Sequence, residues 1–216
     1  MLRGFHGRPR RIYIDDCVVH NPLMVWNLPN LLTWARIVAI PLLVAVFYLP
    51  MGLSESERNL WSTIIFVVAA VTDWIDGWLA RKWNQTSPFG AFLDPVADKL
   101  MVCTALVALI ELGRLNPIIG LIIVGREITI SALREWMASV GARASVAVNW
   151  IGKAKTIAQM VAIPFLLFQG TIFWGLVDTR AWGQVLIWGA AILTVVSMAY
   201  YLRAAWPELQ KNGQKS

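Results

Sequence analysis

The sequence predicts an all-α polytopic membrane protein, with six transmembrane helices and both termini on the cytoplasmic side. Three observations predict it. Of 216 residues, 57% are hydrophobic and only 15% are charged, too apolar a mixture for an ordinary soluble domain. Six apolar stretches of roughly 20 residues, the length that crosses a bilayer, alternate with short polar breaks. Finally, of 19 Lys and Arg, only Arg58, Arg114 and Arg180 fall on one side of such an arrangement. The positive-inside rule makes the other side the cytoplasm.

Residues 1–23 are basic, contain Gly and Pro, and lack the apolar core of a signal peptide; they are expected to form a poorly ordered tail. The membrane domain is placed at 24–205, with a polar tail at 206–216. Asn30, Thr33 and Arg36 follow Pro29, a plausible helix start, and feed a first span at 31–49 that contains Pro41. On charge rules alone Arg36 marks the membrane boundary, with contact to lipid phosphate as the other reading. The polar turn Ser54 to Arg58 leads to a second span at 59–81. Ser87 and Pro88 suit the cap and first position of a third helix, 88–110, in which Pro95 is expected to introduce a kink. A break at 113–116 separates this from a fourth span at 117–137. A small, polar stretch at 139–150 precedes a fifth at 151–168, and the sixth lies at 182–202.

Twelve Trp and four Tyr supply interfacial anchors as well as packing. The net charge of +6 orients such a chain and attracts anionic lipid, and so need not signal nucleic acid. Cys17 and Cys103 are too far apart to suggest a disulfide framework or a zinc site. His6 and His20 have no second ligand at suitable spacing.

The chemistry concentrates between Val71 and Leu100. Asp73, Asp76, Asp94 and Asp98 lie within or beside apolar sequence, where an ionised carboxylate costs about 2.5–3.5 kcal/mol even on an insertion scale. At helical periodicity Asp73, Asp76, Gly77, Ala80 and Arg81 share one arc, and Trp74, Ile75, Trp78 and Leu79 take the other. Gly90, Asp94 and Asp98, four apart, line one face of the next helix. The short connection makes the two helices antiparallel neighbours, so the four carboxylates are expected to meet across that pair. Converging carboxylates need cations to stay ionised. Hard oxygen ligands without His or Cys suit Mg²⁺ or Mn²⁺, and two ions about 3.5–4 Å apart are a common device for displacement at phosphorus. The plainer alternative is an ion network with Arg81, Lys82 and Lys99.

Asp73-x-x-Asp76-Gly77-x-x-Ala80-Arg81, eight residues, then Gly90-x-x-x-Asp94-x-x-x-Asp98 resembles the complete signature of the CDP-alcohol phosphotransferases. NLPNLLTWAR, REITISALREWMA and SVAVNWIGKAKT resemble the bacterial branch of that family that acts on glycerol 3-phosphate. The resemblance implies CDP-diacylglycerol as donor. It implies Asp73, Asp76, Asp94 and Asp98 as metal ligands, with Asp98 as general base, and Asp73, Gly77, Ala80, Arg81 and Gly90 as the nucleotide pocket. It also implies a homodimer in the bacterial inner membrane.

Arg126, Glu127, Arg134 and Glu135 interrupt the fourth span, and Lys153 and Lys155 begin the fifth. The four cations are candidates for an acceptor-phosphate pocket, with Arg143 as a further one; pairing with Glu127 and Glu135 is the simpler explanation. A phosphorylated alcohol is then the expected acceptor, and the resemblance points to sn-glycerol 3-phosphate, against phosphatidylglycerol or inositol phosphate. An ion-coupled transporter would also bury carboxylates, but along a path reaching both sides, whereas these gather toward one face.

Overall fold

The computed structural model describes residues 28–50, 52–83, 88–139, 150–172 and 174–213. The leader 1–23 and Ser87 and Arg143 lie outside them. Among the described residues the chain forms six helices: α1 (Leu28–Tyr48), α2 (Glu55–Trp83), α3 (Pro88–Glu111), α4 (Pro117–Ser139), α5 (Trp150–Phe168) and α6 (Thr179–Gly213). A short antiparallel pair, β1 (Thr171–Ile172) and β2 (Val177–Asp178), joins α5 to α6. Each expected span thus has its helix. α6 runs on through most of the polar tail to Gly213, where Ala204, Ala205, Glu208, Leu209, Gln210 and Lys211 are good helix formers.

Among the described residues, two helices are long and apolar enough to cross a membrane, over Leu31–Tyr48 and Thr179–Arg203. The other four carry the charged residues of the candidate site or the turns. Pro41, Pro95 and Pro164 sit inside helices, as membrane helices tolerate when neighbours satisfy the freed carbonyls.

All six helices contribute to one core, in which Leu43, Phe66, Leu106, Leu109, Ile123, Ile163, Leu166 and Ile187 are buried. On α2, Trp74, Ile75 and Trp78 face outward and exposed, as the periodicity predicts. The expected direct pairing of α2 with α3 is corrected in one respect. These two helices touch only sparsely, and α1 packs extensively on both. Local sequence cannot show this, since loop length limits how far apart two helices lie without saying what stands between them.

α2 opens on a reciprocal cap. The Ser54 hydroxyl accepts the Glu57 amide at 3.3 Å, and Glu57 accepts the Ser54 amide at 2.8 Å and its hydroxyl at 2.7 Å, satisfying donors that a helix start leaves open. These bonds hold the Glu57 carboxyl below its ordinary pKa. α3 ends at Gly113, whose φ of 68° is the left-handed geometry that glycine adopts without strain. The next residue, Arg114, is buried and ties this end of the bundle together. It donates to the Leu167 carbonyl at 2.9 Å and to Asn59 Oδ1 at 2.8 Å, and its own carbonyl accepts Gln184 at 2.6 Å. Burial holds its pKa below the usual arginine value, with Glu55 opposing part of that shift.

Candidate active site

At the opposite ends of α2 and α3 lie the signature aspartates. Asp73 is on α2, and Asp94 and Asp98 are on α3; all three are partly buried. Asp76, Gly77, Ala80 and Arg81 belong to α2 and Gly90 to α3, but their side chains lie outside the described residues. Among the described residues, no three Asp, Glu, His or Cys side chains close on a single point as metal ligands.

What meets these carboxylates is α1. Arg36 is 1% exposed and its Nη1 lies 2.7 Å from Asp73 Oδ1. Thr33, equally buried, donates its hydroxyl to Asp94 Oδ1. Arg36 is thus bound inside the bundle, at a carboxylate of the neighbouring helix. A guanidinium in an apolar helix needs a counter-charge, and Asp73 on the neighbouring helix provides it. The spacing of Thr33 and Arg36, which puts them on one helical face, was the only signal of this in the sequence.

The donor set fits a hard divalent cation in its chemistry, since it consists of carboxylates alone.

Beside this cluster opens a cavity of about 530 Å³, walled by α3, α4, α5 and α6. It brings Asp98 together with all four cations singled out in the sequence, Arg126, Arg134, Lys153 and Lys155, and adds Lys99, Glu127, Cys103 and Tyr201. Lys155 is 3% exposed and Arg126 8%. Glu127 Oε2 accepts from both, at 3.0 Å from Lys155 Nζ and 3.1 Å from Arg126 Nη1. Arg126 Nε has no hydrogen-bond partner among the described residues. The Arg134 guanidinium donates to the Tyr201 hydroxyl at 3.0 Å, and both arginines lie over the Tyr201 ring. Glu135 is exposed and does not line the cavity. Pairing with Glu127 thus accounts for two cations with one charge, and the remainder face the cavity.

Tyr201 is the lining residue that sequence reading missed. Its hydroxyl and ring serve the arginines from α6, and nothing near position 201 in the sequence signals that contact. A second, largely apolar groove of about 430 Å³ begins at Asp73 and runs between α2 and α5 past Phe66, Val67, Ala70 and Met160.

An all-helical bundle with an acidic cluster next to a cationic cavity is the architecture of a membrane enzyme handling anionic groups. Residues 26–196 match the CDP-alcohol phosphatidyltransferase family, and the chain belongs to it. It is 49% identical over 188 residues to the CDP-diacylglycerol--glycerol-3-phosphate 3-phosphatidyltransferase of Salmonella choleraesuis (strain SC-B67), covering 86% of this chain and 98% of that one. With the proteins of the same name from Escherichia coli (strain K12) and Shigella flexneri serotype 5b (strain 8401), the identity is 50% over the same shares.

Proposed function

We propose that this protein transfers the phosphatidyl group of CDP-diacylglycerol to sn-glycerol 3-phosphate, giving phosphatidylglycerophosphate and CMP. The observation that carries this reading is the cavity in which Asp98 stands among cations. Among the described residues that line it, Lys99, Arg126, Arg134, Lys153 and Lys155 face two carboxylates, Asp98 and Glu127. Such an excess of positive charge suits a phosphate monoester, which carries about −1.5 to −2 near neutral pH. The relatives named above, similar over nearly their whole length, carry the same activity in their names.

In this reading Asp73, Asp76, Asp94 and Asp98 hold two Mg²⁺ or Mn²⁺ ions. Such ions supply positive charge that screens the pyrophosphate and the leaving CMP. Gly77, Ala80 and Gly90 leave room for the cytidine diphosphate to approach the helices, and Arg81 offers a planar fork to phosphate. The groove between α2 and α5 suits an acyl chain, because it is apolar and starts at the acidic cluster. Arg126, Arg134, Lys153 and Lys155 hold the acceptor phosphate. Asp98 accepts the proton of the acceptor hydroxyl; the oxygen of that hydroxyl bonds to the phosphatidyl phosphorus, and the bond from that phosphorus to CMP breaks.

The same reading takes the six helices as six membrane spans with both termini cytoplasmic, in a bacterial inner membrane. The arginine distribution supports it. The acidic cluster then lies just within the cytoplasmic leaflet, where a soluble acceptor and a lipid donor can both reach it. A homodimer is proposed from family likeness.

The test is purified protein with CDP-diacylglycerol and labelled glycerol 3-phosphate, with and without chelator. Metal-dependent appearance of phosphatidylglycerophosphate is expected. No phospholipid product, or a clear preference for inositol phosphate or phosphatidylglycerol as acceptor, would overturn the assignment.

A further inference from the structure

Thr33 and Arg36 lie outside the Asp/Gly signature, yet they hold two of its members. They are buried on one face of α1, three residues apart. One binds Asp94 on α3 and the other Asp73 on α2. Since α2 and α3 scarcely touch while α1 packs on both, these two contacts help fix where one carboxylate stands relative to the other. Each contacts the Oδ1 atom of its carboxylate.

We infer that Thr33 and Arg36 are positioning residues of the cation site, holding the Asp94 and Asp73 carboxylates in the orientation in which they bind a divalent ion. This rests on the cation-site reading given above. The physical argument is that of outer-shell partners generally. A ligating carboxylate must be held in one rotamer to bind tightly, and a hydrogen bond to its other oxygen does this. If α1 needed only to fill space here, apolar side chains of similar volume would serve at least as well as a buried guanidinium paired with a partly exposed carboxylate. A buried threonine hydroxyl aimed at a carboxylate on another helix is likewise unnecessary for packing.

The test uses the full-length protein in detergent, with Mn²⁺ alone as the probe and free Mn²⁺ read by electron paramagnetic resonance. Thr33→Val keeps the shape and removes the hydroxyl. The expected result is a dissociation constant for Mn²⁺ raised about 10-fold or more, the usual effect of losing such a partner. Thr33→Ser, which restores the hydroxyl, should bind like the wild type. Turnover of Thr33→Val should recover as Mn²⁺ is raised in proportion, which general damage to the fold would not allow. Should Thr33→Val fail to fold, Arg36→Lys is the second probe: it keeps the charge but replaces the planar fork, and a several-fold loss of Mn²⁺ affinity is expected. Wild-type affinity in Thr33→Val, or equal weakening in Thr33→Ser, would overturn the inference while leaving the cation site standing. A wild type that binds no Mn²⁺, indistinguishable from Asp94→Ala, would overturn both.

Discussion

Replacing Lys155 with Met isolates the acceptor half of the reaction. Lys155 is 3% exposed, and its ammonium lies 3.0 Å from Glu127 Oε2, which also accepts from Arg126 at 3.1 Å. Removing Lys155 therefore strands no charge: Glu127 keeps Arg126, and a neutral pair remains. Folding should survive, because Met fills a similar volume in an apolar span. What is lost is one charge-assisted bond to the acceptor phosphate, worth about 1.5–3 kcal/mol in a buried setting. At about 1.4 kcal/mol per tenfold, KM for glycerol 3-phosphate should rise roughly 10- to 100-fold. The donor half is built mainly on α2 and α3, and Lys155 does not line the groove between α2 and α5, so KM for CDP-diacylglycerol should hold within about twofold. Lys153 gives the internal comparison. It lines the same cavity but is exposed, where solvent screens its charge, so Lys153→Met should raise KM by only a few-fold. The assay varies glycerol 3-phosphate at saturating CDP-diacylglycerol. An unchanged acceptor KM in Lys155→Met would refute the reasoning, as would an effect of equal size on both substrates.

Further outcomes follow from other parts of the structure. Asp98→Asn should lower kcat by about 10²–10⁴-fold if the carboxylate takes the acceptor proton, measured by single-turnover product formation at saturating substrates. Asp94→Ala should abolish transfer without loss of membrane insertion, checked by fractionation alongside activity. Arg114→Met, at the other end of the bundle, should leave KM values intact and cost roughly 2–4 kcal/mol for two buried charge-assisted bonds, seen as a lower melting temperature in detergent. The Glu57 carboxyl is held below its ordinary value by Ser54. Its contribution to stability is therefore complete above that ordinary value and is lost as pH falls through the lower, folded one. Ser54→Ala should flatten this acid limb of the thermal-stability profile, and the same acid dependence in both proteins would count against the cap.

The amino-acid sequence by itself determined the six helices, because long apolar stretches broken by Gly, Pro and charge leave the backbone few other ways to satisfy its hydrogen bonds in lipid. It also determined the spacing of the aspartates and the outward face of Trp74, Ile75 and Trp78, both consequences of helical period. It singled out Arg126, Arg134, Lys153 and Lys155, since charges inside apolar segments are conspicuous wherever they occur. Only the tertiary structure decided that these four share a cavity with Asp98, that Tyr201 reaches them from α6, and that α1 stands between α2 and α3. Arg36 makes the difference plain. Its charge was legible, but its partner, Asp73, lies on another helix, and contacts between helices depend on how the bundle packs, which periodicity within one segment does not encode.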